Sequence, residues 1–197
     1  SRTFNGNSWA WLSPLPAVEN GSLVLEFVTK KRDGVLLFQG PISEMNGTEN
    51  FVLFEIISGQ IRVLFNFGSG IQELSLPTII SDDRWHRLEM FYDDSHVTIV
   101  LDQCSQALSS KRFTGPEVEF DLCRNRSELS VALMNFQMEG PLQIGGLASE
   151  SGNGEVLLND RIMASLAQRF QKEPTFHGFV GCVRNVNFQG RRIELTK

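Results

Sequence analysis

Closely spaced carboxylates are the residues of this chain that could do chemistry. Asp82-Asp83 and Asp93-Asp94 are adjacent pairs, and Asp102 follows nearby. In a β-sandwich, two carboxylates about 5–9 Å apart can act as the acid and nucleophile of a glycosidase, and carboxylates also ligate calcium. Both pairs lie where hairpin turns are predicted, and Asp favours turns through bonds to nearby backbone. We interpret them as turn residues, with catalysis or calcium binding as the alternative.

Other patterns that would indicate a catalytic protein do not occur. The chain has no Gly-x-Ser-x-Gly nucleophile turn and no glycine-rich phosphate loop between a strand and a helix. His86, His96 and His177 are not spaced to share one metal ion, and no two cysteines stand as Cys-x-x-Cys. We therefore predict no catalytic and no cofactor-binding residues.

Size and charge limit the classes of protein to which the chain can belong. A length of 197 residues fits one domain, and 41% hydrophobic with 21% charged residues is ordinary for a globular protein. The formal net charge is −5, and the longest basic run is Lys30-Lys31-Arg32, which disfavours nucleic acid as a partner. Apolar stretches fall short of the roughly 20 residues of a membrane helix.

Period-two alternation of apolar residues predicts a series of short strands separated by polar turns. The turns contain residues typical of tight hairpins, such as Asp33-Gly34 and Ser58-Gly59. This spacing predicts an all-β protein, a sandwich of two antiparallel sheets. The predicted strands are Leu23–Thr29, Val35–Phe38, Phe51–Ile57, Gln60–Phe67, Ile71–Leu76, Trp85–Tyr92, Val97–Leu101, Leu142–Ile144, Phe179–Phe188 and Arg191–Leu195.

Two segments break the strand pattern. Residues 105–138 are polar and irregular, and we expect an insertion there. Residues 159–171 carry an apolar stripe at helical spacing, which predicts a surface helix lying on the sandwich. Pro174 would end that helix.

The alternation also predicts the core. Trp9 and Trp11, two residues apart, should share one strand face, and at a sheet edge one or both would be partly exposed. The predicted core residues are Leu25, Phe27, Leu37, Leu53, Phe65, Trp85, Leu88, Ile99 and Ile144.

Three Asn-x-Ser/Thr triplets indicate an extracellular chain. They begin at Asn20, Asn46 and Asn125, each beside turn-forming residues, where a glycan would be solvated. The alternative is three accidental triplets in a cytosolic protein. Three cysteines, an odd number, leave one without a partner if the chain is secreted.

Five segments together resemble laminin G-like domains, in the order in which that family carries them. The resemblance covers nearly the whole chain and implies a single laminin G-like jelly roll over residues 1–197. The segments are Gly34–Gly40, Phe51–Ile56, Asp83–Leu88, Pro141–Leu147 and Phe179–Val186.

The opening segment narrows the resemblance. Arg2–Trp11 is similar to the opening of the laminin G-like domain of invertebrate-type epithelial and neural cadherins, and Asp102-Gln103-Cys104 resembles that subgroup too. Flamingo-type and Fat-type cadherins carry related domains. The resemblance implies a non-enzymatic extracellular module of a membrane-anchored cadherin. Its expected role is calcium-dependent cell–cell adhesion, with other domains of the same ectodomain or a like molecule as partners.

A carbohydrate-binding or carbohydrate-active sandwich is the alternative function, because fold alone does not fix function. The resemblance also implies a calcium site at one sandwich rim in some members, and calcium in the cadherin repeats of the parent protein. Here residues 46–50 contain no Asp, which lowers the number of strong oxygen ligands at that rim. The net charge of −5 likewise disfavours heparin-type ligands.

The resemblance carries an expectation for each cysteine. In an oxidising compartment Cys104 and Cys123, which flank the insertion, should form a disulfide; the alternative is two buried free thiols. The family's equivalent of Cys182 pairs with a cysteine further along the chain, beyond Lys197. We therefore expect a domain truncated at its C-terminal end, with Cys182 lacking its partner rather than bridged to Cys104 or Cys123.

Overall fold

A computed structural model describes residues 1–42, 49–105, 120–130, 138–148 and 177–195. The predicted helix over 159–171 and Asn46 lie outside these residues. So does most of the predicted insertion. The described residues form two antiparallel sheets, which confirms the all-β sandwich.

The first sheet has seven strands, and its two edges are β1 (Arg2–Asn5) and β10 (Arg124–Glu128). Its central strand, β3 (Gly21–Val28), pairs with β12 (Val180–Phe188) on one side and with β8 (His86–Tyr92) on the other. The order is β1, β12, β3, β8, β9 (His96–Leu101) and β10, with β13 (Arg191–Arg192) also beside β12.

The second sheet has six strands, and four of them form a continuous meander of hairpins. The order is β2 (Ala10–Leu12), β11 (Leu142–Ile144), β4 (Gly34–Gln39), β5 (Phe51–Ile57), β6 (Gln60–Asn66) and β7 (Ile71–Ile79). Trp11 lies on the edge strand β2 and is 49% exposed, as expected for an edge. At one side of the sandwich, β10 of the first sheet contacts β7 of the second, since Asn125 donates to Ser75 O.

The core lies between the sheets and is lined by alternate residues of each strand. Phe27 of β3 meets Phe179 edge to face, with ring centroids 6.5 Å apart. The prediction is confirmed for eight of the nine core residues, which are at most 1% exposed: Leu25, Phe27, Leu37, Leu53, Phe65, Leu88, Ile99 and Ile144. Leu53 belongs to a second apolar cluster, on the other face of the second sheet.

The prediction that Trp85 is a core residue is wrong. Trp85 is 40% exposed, and β8 begins at His86, which is only 6% exposed. Side chains alternate along a strand, so Leu88 and His86 share the inward face while Trp85 and Arg87 face outward. Trp85 and Leu88 are three positions apart and could not both point into the core.

The predicted insertion contains a strand that the sequence pattern did not reveal. β10 pairs antiparallel with β9, with Arg124 opposite Val100 and Glu128 opposite His96. Its residues are all polar and show no apolar alternation, because an edge strand needs no buried side chains on its outer face. A short 3₁₀ turn, Phe120–Leu122, precedes it.

A buried ion pair crosses the outer face of the second sheet. Glu55 of β5 and Arg62 of β6 are register partners, and Arg62 Nε donates to Glu55 Oε1 at 2.7 Å. The Glu55 side chain is fully buried and that of Arg62 is 10% exposed. Leu53 and Leu64, in the apolar cluster on this face, are likewise buried.

We predict that Glu55→Gln lowers the free energy of unfolding by about 3–5 kcal/mol, because it leaves the Arg62 guanidinium as an uncompensated buried charge. Chemical denaturation measures the change. The matched control is Lys30→Ala, which removes an exposed ion pair to Asp83 and should cost less than about 1 kcal/mol. Equal losses for the two variants would contradict the assignment of Glu55–Arg62 as a buried pair.

Candidate functional site

The structure places the aspartates singled out in the sequence in bends and turns outside the strands. Asp93 Oδ1 accepts from the backbone N–H groups of Ser95 and His96, each at 2.8 Å. These bonds, with the Ser95 hydroxyl, lower the pKa of Asp93 to about 2. Asp83 pairs with Lys30 at 3.0 Å on the exposed surface.

Asp82 and Asp102 instead meet at one buried imidazole. His86 Nδ1 lies 2.8 Å from Asp102 Oδ2, and His86 Nε2 lies 3.0 Å from Asp82 Oδ1. Both carboxylates are held by backbone donors, since Arg84 N donates to Asp82 Oδ1 and Arg87 N donates to Asp102 Oδ1. A carboxylate accepts and does not donate, so only the doubly protonated imidazolium satisfies both contacts.

This geometry decides the direction of two pKa shifts. Burial disfavours the imidazolium, but the hydrogen bonds and charges of Asp102 and Asp82 outweigh it and raise the pKa of His86 above 6.5. Burial likewise disfavours the Asp82 carboxylate, but the bonds from His86 and Arg84 leave its pKa below 3.8. Both shifts favour the charged form of the cluster, an imidazolium between two carboxylates.

The segment that presents Asp102 has an unusual backbone. Asp102, Gln103 and Cys104 have φ values of 51°, 53° and 54°, the left-handed region that non-glycine residues rarely adopt. Cys104 forms a disulfide with Cys123, with their Cα atoms 5.3 Å apart. Leu101 N also donates to Cys123 O at 2.8 Å. This turn is thus fixed by the disulfide, by the Leu101 hydrogen bond to Cys123 and by the contact of Asp102 with His86.

The Asn125 triplet lies where the two sheets close on each other. Asn125 Nδ2 donates to Ser75 O of β7 at 2.9 Å, and Ser127 Oγ donates to Gln72 Oε1 at 2.5 Å. Asn125 is partly exposed and reaches toward the other sheet. A glycan attached to Asn125 Nδ2 would compete with the hydrogen bond from this nitrogen to Ser75 O, which joins β10 to β7.

Asn20 and Cys182 occupy simpler surroundings. Asn20 is exposed just before β3, where a glycan would be solvated. Cys182 lies on β12 between Thr3 and Val28, is partly exposed, and forms no disulfide. Its Sγ is 3.4 Å from Thr3 Oγ1.

The outer face of the first sheet carries a ladder of ion pairs. Arg184 of β12, Glu26 of β3 and Arg87 of β8 are register partners across three strands. Glu26 contacts Arg184 Nε at 2.7 Å and Arg87 at 3.7 Å, and Arg87 pairs with Glu89 at 2.8 Å. Burial disfavours the ionised Glu26 carboxylate, but the hydrogen bonds and charges of these arginines outweigh burial and lower the pKa of Glu26. The Arg184 guanidinium lies 3.8 Å from the centroid of the Trp85 ring, a cation–π contact.

The described residues also bound a cleft of about 340 Å³ at one end of the sandwich. Among the described residues that line it, Asp33 is the only carboxylate, and Asp33 Oδ1 accepts from Ser58 N at 2.9 Å. Among the described residues no group of three or more His, Cys, Asp or Glu side chains is arranged to hold a metal ion. Residues that line the cleft are Gly6, Lys31, Arg32, Asp33, His177, Gly178 and Val180.

Comparison with known families agrees with the resemblance of the five segments. The model of the Laminin G domain matches residues 27–191, which is most of the chain. The chain belongs to the laminin G domain family. A solved structure has the same fold: mouse laminin alpha1 domains LG4-5 superpose on this chain with a TM-score of 0.65 at 16% identity. The match covers 98% of this chain and 42% of that one.

Among the curated proteins, this laminin G domain is similar to fly cadherins over its whole length. It is 34% identical to putative neural-cadherin 2 and 32% identical to neural-cadherin of Drosophila melanogaster. It is also 27% identical to the Drosophila protocadherin-like wing polarity protein stan. The chain covers 11%, 6% and 5% of the lengths of these three proteins. No described helix of the domain has the length and apolar character to span a membrane.

Three polar residues of the laminin G segments prove to have structural contacts that the motifs alone did not reveal. Glu55 forms the buried pair, His86 joins the two carboxylates, and Arg184 stacks on Trp85. Had the alternation been assigned correctly along β12, β3 and β8, it would have placed Arg184, Glu26 and Trp85 on the outer face of the first sheet. The contact of Asp102 with His86 depends on a left-handed turn, for which the sequence gives no signal.

We predict that replacing both Cys104 and Cys123 by Ala lowers the free energy of unfolding by about 3 kcal/mol, since the bond closes a loop across a sequence separation of 19 residues. Denaturation of the oxidised chain and the double variant measures the loss. The control is Cys182→Ala, which removes an unbridged thiol and should change stability far less. A double variant as stable as the parent would contradict the prediction.

We predict that Asp102→Asn lowers the pKa of His86, because it removes one of the two carboxylates that stabilise the imidazolium. The stability from a raised histidine pKa is fully present below 6.5 and is lost as pH rises through the folded value. The variant should therefore lose this contribution at lower pH than the parent. NMR titration of the His86 ring protons measures the shift. Asp94→Asn, in an exposed turn, is the matched control, and an equal shift there would contradict the role of Asp102.

Proposed function

We propose that this laminin G domain is a non-enzymatic extracellular module of a cadherin-type cell-surface protein and contributes to cell–cell adhesion. The observation that carries the proposal is the whole-chain similarity to two Drosophila neural cadherins, at 34% and 32% identity. The domain acts through the architecture of its ectodomain or through direct protein contact. Calcium dependence of that adhesion would come from cadherin repeats elsewhere in the parent protein.

Two features of the domain support an oxidising, extracellular location. Cys104 and Cys123 are bridged, and such bonds persist mainly outside the cytosol. Asn20, in an acceptor triplet, is exposed. Partners of the domain are then other modules of the same ectodomain or of a like molecule on another cell.

The carbohydrate-active alternative gains no support from the described residues. None of the carboxylates singled out in the sequence, Asp82, Asp83, Asp93, Asp94 and Asp102, lines the described cleft, and neither does Glu55. A glycosidase needs two carboxyl groups facing one concave site. Glu55 lies instead in the buried pair, and Asp82 contacts His86.

The proposal is tested by deleting residues 1–197 from the parent protein and measuring aggregation of otherwise non-adhesive cells. We expect weaker calcium-dependent aggregation at equal surface expression, and calcium chelation should abolish aggregation of both forms. Surface labelling provides the expression control. Equal aggregation at matched surface levels would overturn the adhesion role.

We predict that the domain secreted from eukaryotic cells carries an N-glycan at Asn20, because this triplet is solvent-exposed. Enzymatic deglycosylation followed by peptide mass mapping detects it. Ser22→Ala removes the acceptor pattern while leaving Asn20 in place, whereas Ser22→Thr preserves it. An unmodified Asn20 in the secreted parent would contradict the prediction.

A further inference from the structure

The exposed surface of the ion-pair ladder has a defined chemistry. We call Trp85, Val28, Arg87 and Arg184 the outer patch. Trp85 is 40% exposed, and the side chains of Arg184 and Arg87 are 41% and 35% exposed, whereas that of Glu26 is only 17% exposed. Solvent therefore meets an indole beside two guanidinium groups, and the carboxylates that compensate them, Glu26 and Glu89, are less exposed.

The Trp and Arg side chains of the outer patch are of the types that are enriched in protein–protein interfaces. Trp and Arg are the residues that most often dominate the binding energy of protein interfaces. The Trp85 ring and the Arg184 guanidinium already stack at 3.8 Å, and Arg184 also bonds Glu26, so both side chains are fixed before any partner arrives. A pre-ordered patch loses little side-chain entropy on binding.

The two ends of the described chain come together beside this patch. β1 and β13 lie along the same side of β12, with Arg2 opposite Val183 and Arg192 opposite Asn187. Ile193 N donates to Val186 O, so the C-terminal strand continues toward the position where β1 begins. The stretch of β12 between the two ends contains Arg184.

Neighbouring parts of a longer protein would therefore leave the domain next to the outer patch. Strands lie about 4.8 Å apart, so the step from β12 across β3 to β8 is about 10 Å. A module of only about 40 residues has a radius of gyration near 9 Å, enough to cover that distance. The matched cadherins are far longer than this chain, which covers 11% and 6% of two of them.

We propose that the outer patch is the docking surface for an adjoining module of the same polypeptide, one that presents an apolar side chain to Trp85 and carboxylates to Arg184 and Arg87. The assignment rests on the proposed function, since it takes the chain to be one module of a cadherin-type ectodomain. Docking here would fix the angle between consecutive modules instead of leaving the domain on a free linker.

Hydroxyl-radical footprinting of the parent ectodomain and of the 197-residue chain tests the proposal. We expect the modification rate of Trp85 to fall by about threefold or more in the ectodomain, because an interface centre is desolvated. Trp11, 49% exposed on the second sheet, is the internal control and should react equally in both. An unchanged rate at Trp85 overturns the proposal, and so does an equal fall at both tryptophans, which would indicate general shielding.

A variant in the ectodomain separates docking from folding. Trp85→Gln removes a side chain that is 40% exposed together with its stacking contact to Arg184, so the melting temperature should fall by no more than about 5 °C, and the domain stays folded. Small-angle scattering should then show a larger maximum dimension, because the two modules are no longer held together. A protected Trp85 in an ectodomain whose deletion variant still adheres would overturn the adhesion role but leave the docking surface standing. An unprotected Trp85 with lost adhesion would do the reverse.

Discussion

The pairing of β3 with β12 and β8 is the constraint on which both faces of the first sheet depend. In this one register, Leu25 and Phe27 point into the core while Glu26 lies between Arg184 and Arg87 outside. A slip of one residue would bury Glu26 and expose the core side chains. The apolar core and the ion-pair ladder therefore specify the same register from opposite faces, and Trp85 reaches Arg184 only in that register.

A second constraint connects the sheet to the polar segment that follows β9. An imidazolium buried at His86 is tolerated because Asp102 and Asp82 contact both of its nitrogens. Asp102 reaches it from a left-handed turn that ends at the bridged Cys104. Burial of the charge and strain in the backbone are each unfavourable alone, and the contact between them offsets both. The cluster is thus a structural tie between β8 and the start of the insertion.

The sequence was sufficient for the fold class and most strands, since alternation and turn residues are local signals. Trp85 is the exception among these local signals, because its spacing of three positions from Leu88 already excludes a shared inward face. The remaining differences arise where the signal is not local. β10 was missed because its residues are all polar and its pairing with β9 and contacts to β7 are long-range. Asp102 stands out in the sequence as a candidate carboxylate, but its contact with His86 depends on a left-handed backbone conformation that its residue type does not predict.

The contacts of the carboxylates favour an exposed face, and not a cleft, as the place of the proposed recognition. Asp82, one of the carboxylates singled out in the sequence, contacts the His86 ring, and Glu55 is paired with Arg62. Such partners stabilise the ionised form and leave little capacity for proton transfer to a substrate. Trp85 and Arg184, an aromatic and a cationic side chain, keep exposed contact area on the outer face of the first sheet. A surface of that kind suits contact with another folded module, which needs a fixed, partly apolar face and no reactive group.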